Sequence, residues 1–405
     1  MNDVIPLHLC RKVVEGLTSI SLQEIGTPKW LSRHLLIVKL NVQAIFNAAN
    51  RGEEYVMEIL VDQNKLNMLV KEIIALDFWK SEVLPKIIEN SKTAPIKLYL
   101  IQFHCPTLIS LLEIVCFHRT AIVSLGDYCL DLLDFCYMKV SMLISQGNKG
   151  VLSENSQNNK LKYNEPSVNE ERKMEFALQM SCLSILRYIS DHICELSLSC
   201  IHFILNEREL PLALVALIEN RPWIWKNSEG HRYAWSDGSF TKVEPKDYDK
   251  VVKIEGQVWL CLYNFMFSKT SGDSYELTES RKNSLLRLKK YLNEILIDQI
   301  PVLQQMRTML DKLSLTSLPK SSKSNPFLIS SLPSVREELI KSTNIPELIK
   351  YQKENLFKED FKMDELLKLG ELTEIYETEV KNRNTSDQQI CALCGKAADK
   401  RCARC

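Results

Sequence analysis

Apolar residues recur at helical spacing through most of the first 145 residues. Two such stretches cover residues 55–60 and 66–79, and the polar residues 62–64 separate them. Pro106 is predicted to open a further, nearly all-apolar stretch, which is followed by another over residues 127–144. Helices this apolar must be covered on several sides. Because the helices are short and joined by short turns, the pattern predicts an all-α, armadillo- or HEAT-like array, although no clean repeat of about 40 residues is present.

A polar stretch over residues 146–170 interrupts this pattern and predicts a linker. A second helical block follows over residues 171–315 and opens with one apolar helix face. The residues of that face step by three or four along the chain: Leu178, Cys182, Ile185, Ile189, Ile193 and Leu196. The same criterion predicts further helices over residues 256–267 and 281–300.

Residues 222–245 break the helical periodicity of this block. They are rich in aromatic side chains, namely Trp223, Trp225, Tyr233, Trp235 and Phe240. Asp237-Gly238 lies between aromatic stretches and is a strong hairpin signal, so we expect a small β-meander inserted between helices. The aromatic cluster is predicted to be structural core, because buried aromatics are the commoner case. A peptide-binding aromatic patch is the alternative.

The remaining chain is predicted to contain a second linker, a charged helical segment and a small cysteine-rich module. Residues 316–335 are rich in Ser and Pro, which indicates the linker. Residues 336–385 form the charged segment, with an amphipathic helix over residues 354–380 that either binds a partner or packs on the scaffold as a solvated helix. The module covers residues 391–405, and residues 1–145 form the N-terminal helical domain.

The charge balance does not favour nucleic-acid binding. The chain has 51 Lys and Arg against 51 Asp and Glu, so it exerts no general attraction on phosphate backbones. Residues 1–10 lack the features of a signal peptide, and no run reaches the roughly 18 consecutive apolar residues of a membrane span. We therefore expect no membrane span and a reducing compartment. Of the 13 cysteines, those outside the module are predicted to be thiols in helix cores.

The candidate chemistry lies in four cysteines of the module, spaced C-x2-C-x7-C-x2-C: Cys391, Cys394, Cys402 and Cys405. A two-residue gap lets both thiolates of a pair face one tetrahedral Zn²⁺ at about 2.3 Å. Neighbouring Lys and Arg side chains would help keep the thiolates ionised. A redox C-x-x-C motif usually lies in a βαβ setting, and none precedes this one. The spacing therefore predicts zinc binding, either at one four-cysteine site or divided between two sites.

This spacing, with Lys400 and Arg401 before the last pair, resembles the start of a MYND zinc finger. In that family four further ligands follow, one of them a histidine, and two zinc ions occupy interleaved sites. The resemblance implies that the pair Cys391 and Cys394 binds one ion, and the pair Cys402 and Cys405 the other. Because the sequence ends at Cys405, we expect a fragment with an incomplete module that holds at most one weakly bound ion.

Segments elsewhere in the chain resemble a family of MYND-containing cytoplasmic assembly factors for axonemal dynein arms. These segments are residues 40–45, 75–80, 110–115, 186–189, 256–264 and 298–301. The resemblance implies a scaffold or co-chaperone-like factor of motile ciliated cells. Its expected partners are leucine-rich-repeat-type assembly factors, chaperones, immunophilin-type co-chaperones and dynein chains. The expected location is the cytoplasm, including the surroundings of centrioles and basal bodies.

Two other classes of MYND protein fit the sequence less well. Lysine methyltransferases that combine a SET domain with MYND carry the module near the N-terminal end of the catalytic chain. They also contain an Asn-His-x-Cys segment and a Gly-rich cofactor loop, which this sequence lacks. A nuclear corepressor adaptor is the other alternative, and the zero net charge does not favour it.

No catalytic residue or organic cofactor site is predicted. Four histidines, His104, His118, His192 and His202, lie in helix-like apolar contexts. Such contexts favour hydrogen-bonded core or surface histidines over catalytic or metal-binding ones. No Ser or Cys nucleophile has a convincing sequence context either. We therefore expect a protein that is not an enzyme.

Overall fold

The structure, a computed structural model, describes most of the chain. The described residues are 4–49, 54–88, 96–147, 168–236, 238–268, 274–316 and 332–356, with 358, 361, 364 and 367–372. Within these residues the chain is mostly helical and contains one small antiparallel sheet, so the all-α class is confirmed. The armadillo- or HEAT-like arrangement stays a prediction.

Eight helices precede residue 148 among the described residues. They are α1 (Leu7–Glu15), α2 (Pro28–Ala49), α3 (Tyr55–Asp62), α4 (Leu66–Glu82), α5 (Leu84–Ile88), α6 (Ile96–Val115), α7 (Arg119–Leu125) and α8 (Tyr128–Gln146). The break between α3 and α4 lies where the polar residues predicted it. Helices α2, α6 and α8 are longer than the short helices that we expected. The apolar residues of α2 pack on α3 and α6, and those of α6 pack on α2 and α4, and this packing favours long uninterrupted helices.

Pro106 lies inside α6 and does not open a new stretch, which corrects the prediction. A proline in a helix interior leaves the carbonyl four residues earlier without its usual donor. That carbonyl belongs to Gln102, and Lys80 Nζ of α4 donates to it over 3.3 Å. The donor from a neighbouring helix, together with the packing of α6 against α2 and α4, lets the helix continue through the proline.

By length and composition alone, α6 could cross a membrane. The core helix of a soluble protein passes the same test, and 61% of the tested window is buried within the protein. Helix α6 packs against α2 and α4, so its contacts within the chain account for its apolar composition. The absence of a membrane span stays a prediction.

The helices after residue 167 are mostly shorter. They are α9 (Val168–Asp191), α10 (Leu198–His202), α11 (Leu210–Asn220), α12 (Lys253–Phe267), α13 (Glu279–Leu286), α14 (Glu294–Gln299), α15 (Leu303–Leu315), α16 (Val335–Ser342) and α17 (Ile345–Asn355). The start of α9 makes residues 168–170 helical, although they belong to the predicted first linker. Residues 148–167 and 317–331, which make up most of the two predicted linkers, lie outside the described residues.

Two predicted helices have different bounds in the structure. The single helix expected over residues 281–300 is wrong, because the 3₁₀ turn Arg287–Lys290 separates α13 from α14. Asn293 then caps α14 by accepting a hydrogen bond from the backbone N–H of Leu296. The helix expected over residues 354–380 is also wrong in its start, since α17 ends at Asn355 and the described residues 367–372 are helical again.

The predicted β-meander is confirmed. Its strands are β1 (Ile224–Lys226), β2 (Arg232–Ser236) and β3 (Ser239–Lys242), which pair in an antiparallel sheet in the order β1-β2-β3. Ser236 pairs with Ser239 across a two-residue loop, and the φ of +84° at Gly238 is the conformation that such a loop requires. Asp237 lies outside the described residues.

The chain folds into two compact units. The first unit contains the described residues of 1–132, 150–181 and 333–387, and the second contains those of 133–149 and 182–332. In the second unit, α11 packs against α12 and α13, and α15 packs against the same two helices. The predicted domain boundaries stay predictions.

In the first unit, the segment with α16 and α17 packs against helices from the start of the chain. The side-chain amide of Gln352, in α17, is buried and donates to the carbonyls of Leu22, Gln23 and Ile25 over 3.2–3.3 Å. At Gly26 the φ angle is +81°, and an added Cβ would lie 2.5 Å from Leu356 Cδ1. A side chain at Gly26 would therefore be both strained and too close.

Candidate functional site

The four predicted zinc ligands, Cys391, Cys394, Cys402 and Cys405, lie outside the described residues. Their assignment stays a prediction from spacing and resemblance. Four thiolates are a donor set that suits Zn²⁺, which prefers sulfur and nitrogen ligands in a tetrahedral arrangement. Among the described residues, no group of three or more His, Cys, Asp or Glu side chains could hold a metal ion.

The other nine cysteines form no disulfide among the described residues, and eight of them are buried. Burial raises the pKa of Cys116 and of Cys261 to about 12, and that of Cys10 to about 11. Thiols with such pKa values stay protonated at neutral pH and are poor nucleophiles. The prediction of buried thiols is therefore confirmed for eight of them, of which seven lie in helices and Cys116 lies in the turn after α6. Cys194 is exposed and departs from it.

The predicted histidines take structural positions. His118 precedes α7, and its Nε2 lies 2.5 Å from Glu54 Oε2. His202 ends α10, and its Nδ1 lies 3.7 Å from Glu207 Oε1. His192 lies between α9 and a 3₁₀ turn. His104 differs from these three histidines, because it belongs to a buried cluster of polar side chains.

That cluster connects three helices of the first unit. Glu72, in α4, accepts from Nε of Arg33, in α2, over 3.0 Å at each carboxylate oxygen, and Arg33 Nη2 also donates to it. His104 Nε2, in α6, lies 2.9 Å from Glu72 Oε1. On the other side of this ring, the Nδ1 atoms of His104 and His34 lie 2.7 Å apart. Trp30 stacks on His34 with ring centroids 5.3 Å apart.

The electrostatics of the cluster favour a charged glutamate and a neutral His34. Burial by itself raises the pKa of Glu72, but hydrogen bonds and charge from His104 and Arg33 outweigh burial and lower the pKa to about 2. Burial, and secondarily the charge of His104, lower the pKa of His34 well below its ordinary value. The carboxylate therefore stays ionised and paired inside the unit.

The geometry of this cluster suits a structural role and not catalysis. The side chains of Arg33, Glu72 and His104 are 7%, 8% and 0% exposed. A general acid or base must come within hydrogen-bond distance of its substrate, and such enclosure leaves no room for one. The cluster instead ties α2, α4 and α6 together through charge-assisted hydrogen bonds.

The aromatic residues around the β-meander are partly core, as predicted. Trp223 and Trp235 are buried, and the ring of Trp235 lies edge-on to that of Phe240. Trp223 Nε1 donates to Glu255 Oε2, in α12, over 3.3 Å. The same carboxylate oxygen accepts from Arg221 Nη2 over 2.8 Å. Glu255 therefore fixes the start of the meander to α12.

The sequence interpretation missed a cationic pocket next to this glutamate. It has a volume of about 370 Å³, and its lining includes Arg221, Lys226, Arg232 and Tyr248. These residues come from the end of α11, two strands and the loop after the sheet. No motif connects them, so the only sequence signal is that three cations lie within 12 residues of one another around a predicted hairpin.

Comparison with known proteins reveals a relative that spans most of the chain. The zinc finger MYND domain-containing protein 10 homolog of Drosophila melanogaster is 29% identical over 334 residues, which cover 81% of this chain and 72% of the relative. No family model matches the chain, and no solved structure matches it. Because the cysteine module is only 15 residues long, an alignment of 334 residues necessarily runs through the helical body.

The match supports MYND-containing zinc-finger proteins as the class to which the chain is similar. The relative is named for its zinc finger and not for an enzymatic activity. This match agrees with the family that the resemblance of the chain's segments indicated.

Proposed function

We propose that this protein is a cytoplasmic interaction scaffold, with a co-chaperone-like role, in the preassembly of axonemal dynein arms in motile ciliated cells. The 334-residue alignment with the MYND 10 homolog carries the proposal, because it extends far beyond the cysteine module. A zinc finger alone recurs in proteins of unrelated function. A shared helical body would in addition present similar surfaces to partners.

The described side chains support a role without catalysis. Arg33, Glu72 and His104 form the cluster that most resembles a catalytic constellation, and they are enclosed in the core. The thiols of Cys10, Cys116 and Cys261 are buried and protonated. A scaffold needs neither an accessible acid or base nor a reactive thiol.

In this proposal the cysteine module is a second, metal-dependent binding part. Cys391 and Cys394 would hold one Zn²⁺, and Cys402 and Cys405 would hold another together with ligands of a complete module. Structural zinc contributes roughly 10–16 kcal/mol to the folding of such small modules. The helical body buries its own apolar faces and should fold without metal. Leucine-rich-repeat-type assembly factors, chaperones, immunophilin-type co-chaperones and dynein chains are the proposed partners.

The partners can be tested by affinity purification of the full-length protein from ciliated cells. We expect dynein chains, chaperones and leucine-rich-repeat assembly factors to copurify with the unaltered protein. The double variant Cys391→Ser, Cys394→Ser should lose those partners that bind through the module. Cys194→Ser, which removes an exposed thiol of the helical body, is the matched control and should lose none.

Two results would contradict the scaffold. One is methyltransferase activity on histone or other protein substrates. The other is a nuclear protein that copurifies with corepressors and without dynein chains.

The metal content tests the module by itself. We expect at most one weakly held zinc ion per chain for the 405-residue sequence, and two tightly held ions when the module is complete. A chelator should leave the main helical melting transition unchanged. One tightly held ion in both chains would indicate a single four-cysteine site and would remove the MYND assignment. A large loss of total helicity on chelation would show that the body depends on the module.

A further inference from the structure

The cationic pocket of the second unit lies where α11 ends and the β-meander begins. Its volume is about 370 Å³, and apolar Ile224 lines it together with Arg221, Lys226, Arg232 and Tyr248. Lys226 and Gly230, at the hairpin end of the pocket, are exposed, so this end is accessible from solvent. A volume in this range accommodates a small ligand or one or two side chains of a peptide.

Arg221 is held in place by its backbone and by a buried partner. It ends α11 in the left-handed conformation, with φ 44° and ψ 57°. A side chain other than Gly or Asn is strained in this conformation, and such strain concentrates at functional sites. Arg221 Nη2 donates to the buried carboxylate of Glu255 over 2.8 Å. The guanidinium is therefore positioned before any ligand binds.

Arg232 provides the second guanidinium. Its Nη1 donates to the carbonyl of Tyr248, and its guanidinium carbon lies 5.8 Å from the centre of the Tyr248 ring. Burial, and secondarily the charge of Arg221, lower the pKa of Arg232, while Glu255, Asp249 and Tyr248 act in the opposite direction. Both arginines line the same pocket, where their like charges repel each other.

The charges of this pocket do not cancel within it. Glu255 is buried and already accepts from Arg221 and Trp223, while Asp249 is exposed and solvated. Lys226 adds a third cation at the exposed end. Among the described residues, Nε of Arg221 and Nε of Arg232 are buried and have no hydrogen-bond partner. An anion in the pocket would supply the negative charge that Arg232 and Lys226 lack.

We propose that this pocket binds an oxyanion side chain, a carboxylate or a phosphoryl group, of a peptide segment from a partner protein. Two guanidinium groups can donate hydrogen bonds to the oxygens of a carboxylate or a phosphoryl group. Ile224 and Tyr248 would contact the apolar stem of the side chain that carries this group. A single recess favours a peptide over a nucleic acid, which would need an extended cationic surface to contact successive phosphates. The site uses only the helical body and the meander, so it goes beyond the zinc-dependent binding proposed above.

The full 405-residue chain can be titrated against fluorescein-labelled peptides while anisotropy is recorded. Three nonapeptides serve as probes: one rich in Glu, one with a central phosphoserine, and one in which Gln replaces every Glu. We expect the first or the second to bind and the Gln peptide not to bind. Which oxyanion peptide binds more tightly identifies the source of the anion. Binding should weaken steeply as salt is raised, since a charged contact at an open pocket is screened.

Variants assign the binding to the pocket. Arg232→Gln should weaken binding about tenfold or more, because it removes a charge-assisted contact. Lys226→Gln should weaken binding less than Arg232→Gln. Because Lys226 is exposed, this variant should fold, and it tests the pocket even if Arg232→Gln does not fold. Arg307→Gln is the control, since it removes a partly exposed, ion-paired arginine that does not line the pocket.

If neither oxyanion peptide binds, the site is overturned. Equal binding of the Gln peptide, or an equal loss with Arg307→Gln, would also overturn it, because the binding would then not depend on this pocket. None of these results would affect the zinc content or the copurification of dynein chains, so the two proposals fail separately.

Discussion

Each of the two compact units contains a pair of one arginine and one glutamate, and the two pairs have opposite surroundings. In the first unit, the side chains of Arg33 and Glu72 are 7% and 8% exposed, and His104 closes the cluster. In the second unit, Glu255 is 9% exposed, but the Arg221 side chain is 39% exposed and faces a pocket. The two pairs consist of the same chemical groups, but solvent reaches the second pair more readily than the first.

This difference separates a structural pair from a pair that positions a binding group. Inside the first unit the carboxylate is neutralised by its neighbours, and no ligand can reach them. In the second unit the buried carboxylate holds Arg221 in place, while Arg232 and Lys226 leave the pocket with unmatched positive charge. Low solvent access strengthens a charged interaction and also raises the penalty for an unpaired charge. The contrast predicts different responses to the same substitution.

The largest effect is expected for Glu72→Gln. The amide keeps the shape of the carboxylate but leaves the Arg33 charge buried without compensation, which costs about 3–5 kcal/mol of the free energy of unfolding. Urea unfolding measures this cost, and hydrogen exchange of α2, α4 and α6 locates it. Glu82→Gln, on the same helix at a position 42% exposed, is the control and should change stability little. A cost for Glu72→Gln below about 1 kcal/mol would contradict the role of the enclosed pair.

A smaller effect is expected from acid acting on His34. Its folded-state pKa lies well below its unfolded value of about 6.5, so the unfolded chain binds a proton first as the pH falls. The stability from neutral His34 is complete above about pH 6.5 and declines below it by at most about 1.4 kcal/mol per pH unit. Glu72 has a pKa of about 2 in the folded protein and of about 4.3 in the unfolded chain. The stability that its charge provides is therefore lost only as the pH falls below about 4.3.

The variant His34→Phe tests this assignment, because phenylalanine can still stack on Trp30 but does not titrate. Its free energy of unfolding should change less between pH 7 and pH 5 than that of the unaltered protein. His8→Gln replaces an exposed histidine of α1 and should keep the full pH dependence. If His34→Phe keeps the same dependence as well, another group is responsible.

The smallest effect on stability is expected for Glu255→Gln. Arg221 can be solvated from the pocket, and the amide oxygen can still accept from Trp223, so the loss should be about 1 kcal/mol or less. The same change removes a negative charge beside the pocket, so oxyanion peptides should bind about twofold to fivefold more tightly. Glu294→Gln, which removes the partner of Arg307, is the control for binding. A stability loss as large as that of Glu72→Gln would show that the two pairs are equivalent.

Several elements were predictable because their causes lie within a few residues. The helix faces follow from apolar spacing, and the hairpin between Ser236 and Ser239 follows from the Asp-Gly dipeptide. The zinc prediction for the four cysteines of the module rests on their spacing and on the resemblance to a MYND finger. By contrast, Pro106 was misplaced because the donor that replaces its missing hydrogen bond, Lys80, comes from a neighbouring helix.

The candidate pocket could not be predicted for the same physical reason. Arg221 and Arg232 are separated by a strand and a turn, and Glu255, which holds Arg221, belongs to a helix that begins after the sheet. Their distances depend on how the meander packs on α12. The number of charged residues in a sequence shows neither which of them lie close together nor which are shielded from water. Charges interact more strongly where water is excluded.

The sequence by itself determined the helical class, the meander and the spacing of the four cysteines, since these depend on periodicity, turn chemistry and ligand spacing. Only the tertiary structure decided which charged residues meet and which of them water can reach. Gly26 is close to Leu356 although 330 residues separate them, and Glu72 lies between an arginine and a histidine from two other helices. Such contacts arise when helices pack, and burial then sets the free energy of each charge.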